Sequence, residues 1–175
     1  MTASSTIPGY EVGTWDIDPA HSAIEFSVRH MGIAKTKGRF TDFSGELVTA
    51  ENPLDSSVTA TISTGSIDTA MPDRDAHVRN ADFLDVANYP TATFRSTGIR
   101  QEDDEFVIDG EFTLHGVTKP VSLRTELNGI SENGLIGLSA TTALDRRDFG
   151  VGPDNTAVVG DKIKVSLEIE AERRP

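Results

Sequence analysis

The chain contains no cysteine. Disulfides, thiolate nucleophiles and cysteine-ligated metals are therefore excluded. Positive charge is scarce: 16 Lys and Arg stand against 28 Asp and Glu, a net charge of −12. That deficit speaks against binding a nucleic-acid backbone, which needs clustered cations. On net charge it also speaks against electrostatic docking to an anionic membrane. It is the balance of a chain kept dispersed in water. No window approaches the ~18 apolar residues of a membrane-spanning helix, so stable membrane insertion is not expected. The start, MTASSTIPGYEVG, lacks the basic end and apolar run of a signal peptide, and a cytoplasmic location is the expectation. No Gly-x-Ser-x-Gly elbow is present for a serine hydrolase. Gly150-Val151-Gly152 has no helix pattern after it to form a phosphate loop. The four histidines, His21, His30, His77 and His115, show neither HxH nor HExxH spacing, so neither a metal centre nor a cofactor is expected.

What the chain does have is alternation. Ile24, Phe26 and Val28 alternate with Glu25, Ser27 and Arg29, and Ile163, Val165, Leu167 and Ile169 alternate with Lys164, Ser166 and Glu168. A period of two marks half-buried strands. Similar runs lie at 58–63, 92–96, 106–114, 121–127 and 136–144. Between Phe40 and Phe43 the apolar parity switches from even to odd, which predicts a bulge or bend at Thr41-Asp42. About eight strands result, with hairpin-length connections that make the sheet antiparallel. At 175 residues, with an apolar fraction of 37%, the chain suits one domain. Residues 1–12 read as a flexible arm and 13–175 as the domain. The fold class is all-β, a sandwich or a barrel. The strand count, the bulge and Gly110 on an apolar face favour the barrel, because an inner glycine marks a bend or room for a ligand.

The stretch from Met71 to Phe94 interrupts this pattern. Asp73 reads as a helix N-cap, followed by Ala76, Val78, Ala81 and Leu84. Pro90 returns the chain to extended geometry. A polar helix with an apolar underside, inserted in an all-β chain, predicts a lid over the barrel end.

The chain also resembles a known family, the lipocalin-like, polyisoprenoid-binding YceI-like proteins. The resemblance rests on an ordered set of motifs between residues 15 and 171: WDIDPAHS at 15–22, FSVRHM at 26–31, GRF and FSG at 38–45, SIDT at 66–69, RDAH at 74–77, DFLD at 82–85, YP at 89–90, LHGVTKP at 114–120 and RDFG at 147–150. Each motif alone is weak. Val78 and Phe112 stand where the family usually has Leu. The resemblance implies an extended eight-stranded antiparallel β-barrel with a short helical insertion. It also implies an apolar interior for a polyisoprenoid, an isoprenoid quinone tail or another long-chain amphiphile.

Inner-face parity with that resemblance gives the candidate pocket: Phe26, Val28, Phe40, Phe43, Ile62, Phe94, Gly110, Phe112, Leu114, Leu123, Leu138 and Leu167, with Phe83 and Phe149 at a mouth. Arg74, His77 and Arg79 are the candidates for a ligand head group or for pinning the lid through carboxylates; Arg146, Arg147 and Asp148 carry the same two readings. No catalytic residue is assigned, and the function expected is lipid binding. The alternative is an enzyme acting on such a lipid through the His/Asp/Arg group at the mouth. Exposed sheet edges and the habit of the family are compatible with a homodimer.

Overall fold

A computed structural model describes residues 7–154 and 159–175. Eleven strand segments form one sheet: β1 (Gly13–Ile17), β2 (Ala23–His30), β3 (Ala34–Phe40), β4 (Phe43–Thr49), β5 (Ser57–Ser63), β6 (Ile67–Asp68), β7 (Thr91–Glu102), β8 (Glu105–Leu114), β9 (Val117–Ile130), β10 (Leu135–Asp145) and β11 (Val159–Arg173). One α-helix, α1 (Pro72–Arg79), lies between β6 and β7. All pairings are antiparallel, and the order β1-β4-β5-β7-β8-β9-β10-β11 closes on itself through β1 and β11. This is the eight-position barrel that the alternation predicts.

Eleven segments occupy eight positions because three of the long strands are broken. β1 and β2 follow one another along the same edge of β11, on either side of the Pro19–His21 turn. β3 and β4 break at Thr41-Asp42, where the parity switch falls, and β5 and β6 break at the Thr64–Ser66 turn. Each break lets a strand swap its inner and outer residues without leaving the wall, which a continuous period of two cannot do.

At one end the wall is complete. Trp15, Leu47, Ile136 and Ala171 make a buried cluster there, with Ile17, Val58, Leu127, Ile130 and Leu138 packed against it. Toward the other end the wall splits twice. β7 begins at Thr91, opposite Ser63, so β6 pairs with β3 alone. The vacant position beside β6 is taken by α1 and residues 80–90. The second split follows Thr141, the last β10 residue paired to β9; beyond it Thr142–Asp145 pairs only with β11, and Val117–Leu123 of β9 only with β8. The helical turn Arg146–Phe149 packs into this second split. Pro120 lies in this stretch of β9 that is paired on one side only, the setting in which a sheet tolerates proline.

Several expectations are corrected. The helix starts at Pro72 with Met71 at the N-cap, not with Asp73 as cap, and no side chain caps it. Asp73 sits in the first turn instead, where a carboxylate favours the helix dipole. Residues 10–12, read as part of the arm, are tied down: the Tyr10 hydroxyl donates to the Ala50 carbonyl, and Arg173 Nε meets Glu11 at 2.9 Å. Residues 1–6 of that arm lie outside the described residues.

Gly110 also differs from its sequence reading. It is buried on the inner face of β8, but the space above it belongs to a protein side chain. A Cβ there would sit 2.4 Å from the Phe94 ring and 2.7 Å from the Arg95 carbonyl oxygen. Gly38 on β3 likewise makes room for the Phe26 ring, 2.4 Å from a would-be Cβ. These glycines let aromatic rings lie flat across the wall. Gly110→Leu is therefore expected to destabilise the fold by roughly 2–3 kcal/mol through overpacking, seen as a lower urea midpoint. A variant as stable as the parent would show that Phe94 swings aside freely.

Candidate functional site

The second buried cluster, at the split end, consists of Ile67, Leu84, Phe149 and Val151. Against it pack Phe26, Phe40, Val78, Phe83, Val86, Phe112, Leu114, Val117 and Leu144. Phe112 meets Phe149 edge-on, with centroids 5.7 Å apart, and Phe26 tilts against Phe40 at 5.7 Å. Six predicted pocket residues thus converge here: Phe26, Phe40, Phe83, Phe112, Leu114 and Phe149. Phe149 is only 2% exposed, so it anchors the plug in the β9–β10 split rather than standing open at a mouth. Leu138 is distant from this group and packs on the Trp15 cluster at the opposite end.

Between the two clusters several inward side chains keep some contact with solvent. Ile24, Phe94, Ile108 and Ala140 are buried there, yet they join neither cluster. Val121, Leu123, Val165 and Leu167 share the inward parity of the wall and are still only half-buried. Inward residues of a tightly filled barrel lose nearly all contact with solvent. Val28 and Ile62 are half-buried in the same way, and Phe43 is buried at the start of β4. Beside the β9–β10 split lies an open crevice of about 320 Å³, lined by Lys119, Val121, Leu144, Asp145 and Phe149 among others.

Each split is closed by a plug tied with arginine. At the first, Arg79 Nε donates to the Gly65 carbonyl at 2.9 Å and Nη2 to the Ile67 carbonyl at 3.0 Å. Arg74 donates to the Thr69 hydroxyl at 2.8 Å and the Thr69 carbonyl at 2.7 Å. Buried Asp75 accepts the Thr69 N–H at 2.9 Å and its hydroxyl. The lid is therefore pinned by its arginines, but through carbonyls and Thr69 instead of carboxylates. The reason is local: residues 64–69 have no β7 partner and offer free carbonyls where the wall is split. His77 is exposed, 3.7 Å from Asp82 and edge-on to Phe83 at 5.0 Å. At the second split, Arg146 is 3% exposed and donates to the carbonyls of Val151, Pro153, Val159 and Gly160 at 2.7–3.0 Å. Arg147 pairs instead with Asp161 at 3.0 Å on the surface. His115, at φ 55°, joins this plug to the β8–β9 turn through Nδ1 and the Phe149 carbonyl at 3.0 Å, with the Tyr89 ring tilted against it at 4.7 Å.

Arg79→Ala should loosen the first plug. Two charge-assisted bonds are worth a few kcal/mol, and an eight-residue helix has little stability of its own. Amide exchange in residues 72–86 is expected to rise on the order of 10–100-fold. Exchange unchanged from the parent would mean that Leu84 and Val78 hold the lid without the arginine.

One polar group was not legible from spacing. Asp18, His21 and Glu170 come together at the complete end of the barrel, their donor atoms within 4.8 Å of one another. Among the described residues they are the group able to converge on a cation, although local spacing gave no metal set. As they stand, His21 Nδ1 meets Asp18 at 2.7 Å and Glu170 at 3.5 Å. The hydrogen bond to Asp18, then the charges of Asp18 and Glu170, raise the His21 pKa above its ordinary 6.5. The stability this contributes is present below pH 6.5 and is lost as pH rises through the raised value. An NMR titration of the His21 ring should show a midpoint above 6.5; a lower midpoint would mean that the ring leaves Asp18 in solution.

A closed antiparallel barrel with one short helix set into its wall is a lipocalin-like fold. The YceI-like domain family matches residues 15–171, and the chain belongs to it. A UPF0312 protein of Pseudomonas aeruginosa is 37% identical over 164 residues, covering 91% of this chain and 85% of that one. The Burkholderia cenocepacia protein BcnA has the same fold, with a TM-score of 0.82 at 21% identity over 88% of this chain and 98% of that one. A polyisoprenoid-binding domain from Saccharophagus degradans, implicated in plant cell wall breakdown, shares the fold at a TM-score of 0.75 and 15% identity, over 94% and 100% of the two chains.

Proposed function

We propose that this protein binds and carries a long apolar lipid, a polyisoprenoid or an isoprenoid quinone, along the barrel axis. The observation that carries this reading is the middle of the barrel, where Leu123, Val165 and Leu167 point inward yet remain half-buried. Burial of a chain there is favoured by about 0.8 kcal/mol per methylene removed from water. The ligand named for the Saccharophagus neighbour supports the same class. An enzyme reading has less support. His115 commits Nδ1 to a carbonyl, and His77 lies exposed on the lid. Lipid extraction from purified protein, read by mass spectrometry, tests the proposal. One long-chain lipid per barrel is the expected result. Protein that carries none and fails to take up a fluorescent polyprenyl probe would overturn it.

A further inference from the structure

We propose that the β2–β3 hairpin tip and the basic corner beneath it form a docking surface for an anionic lipid bilayer. Three observations carry this. The first is apolar exposure: Met31 is 58% and Ile33 91% exposed, the latter the most exposed large apolar residue among those described. Met31 and Gly32 form the turn with φ of 56° and 71°. Asn or Gly is the low-energy choice at such positions, so local stability does not account for a methionine there.

The second is where the cations lie. Four of the five lysines in the chain, Lys35, Lys37, Lys162 and Lys164, belong to β3 and β11 on either side of β2. Lys35 stands opposite Arg29, and Lys37 and Lys164 both stand opposite Ser27. Among the described residues no carboxylate lies within ion-pair distance of Arg29 or of these four lysines. Elsewhere on the wall the arginines are paired, Arg95 with Glu111 at 2.9 Å, Arg100 with Asp109 at 2.7 Å and Arg124 with Glu102 at 3.2 Å, while Lys119 on β9 stands alone among the described residues. The acids nearest the corner are partly engaged as well, Asp68 by Arg39 at 3.3 Å, Asp161 by Arg147 at 3.0 Å and Asp145, opposite Lys162, by Arg147 at 3.7 Å; Glu25 remains. A net charge of −12 therefore conceals one basic corner, and an anionic surface responds to the nearest charges within a Debye length, not to the total.

The third is position. His30 at the tip pairs with Val159, and the tip stands at the same end as the 146–154 segment, the β8–β9 turn and the split wall. Docking by the tip turns the plugged end of the barrel toward the bilayer. The inference stands on the surface and does not depend on the interior being occupied; if the carrier reading also holds, the membrane is the source or sink of the cargo.

Flotation with vesicles of phosphatidylcholine, with and without one-third phosphatidylglycerol, tests it. The protein is expected to float with the anionic vesicles only, and less as salt rises. Lys35→Glu/Lys37→Glu/Lys164→Glu and, separately, Met31→Asn/Ile33→Ser should each weaken flotation by at least ~10-fold. Both sets are exposed, so folding and the lipid content extracted in solution should match the parent. Absence of flotation, no preference for anionic vesicles, or flotation unchanged in either variant would overturn the proposal. So would a dimer that dissociates in Met31→Asn/Ile33→Ser without any vesicle binding, since the tip would then be a contact between copies. Vesicle binding by a protein that proves empty of lipid would sink the carrier reading and leave this one standing.

Discussion

Arg146→Ala is expected to lower the unfolding free energy by on the order of 4 kcal/mol, since each stranded buried acceptor costs ~1–3 kcal/mol and water reaches some of them. Arg146 is the only residue holding four separate backbone carbonyls, those of Val151, Pro153, Val159 and Gly160, among the described hydrogen bonds. No carboxylate among the described residues balances its charge, so the carbonyl dipoles do. The side chain is itself buried, as Phe149 and Val151 are, and its loss leaves a void as well as unpaired carbonyls. Arg146→Lys should recover less than half of the stability, because an ammonium cannot reach four acceptors spread around a planar fork. Urea unfolding checks both variants. A loss below ~1 kcal/mol in Arg146→Ala would mean that Phe149 alone seats the plug.

Trp15→Ala should cost a similar amount, roughly 3–5 kcal/mol, the usual range for deleting a large buried aromatic residue. Trp15 is 0% exposed, and its Nε1 donates to Thr49 Oγ1 at 2.9 Å. Its strand is the one that closes the barrel: Trp15 stands opposite Leu47 on β4 and Arg173 on β11. Removing the ring empties the cluster that holds both seams together. Thermal unfolding should be less cooperative, and exchange should rise first in β1 and the last residues of β11. Trp15→Phe should retain most of the packing and lose only the Thr49 bond, about 1 kcal/mol. Equal losses in the two variants would show that the indole N–H, not the ring volume, holds the end shut.

The strand positions, the antiparallel class and the helical insertion were legible in the sequence, because each depends on periodicity over neighbouring residues. The break at Thr41-Asp42 was legible for the same reason, since a change of parity can be read directly. Arg79 was read as a head-group ligand or as a clasp through carboxylates, and its actual partners are backbone carbonyls. Carboxylates nearby in sequence suggested ion pairs, whereas the free carbonyls of Gly65 and Ile67 arise only because β7 starts late. Gly110 read as space for a ligand because the residue that fills it, Phe94, comes from the neighbouring strand β7.

The sequence by itself determined the alternation, and with it strands that turn one face inward, in a sandwich or, as the strand count favoured, a barrel. Only the tertiary structure decided where that barrel is complete and where it splits. Ring closure depends on register between strands far apart in the chain, such as Trp15 against Arg173, and local pattern does not encode register. The same holds for charge. The composition set the total of −12, but antiparallel pairing placed Lys37 and Lys164 opposite one serine on β2, because the fold alone sets the distance between charges remote in sequence.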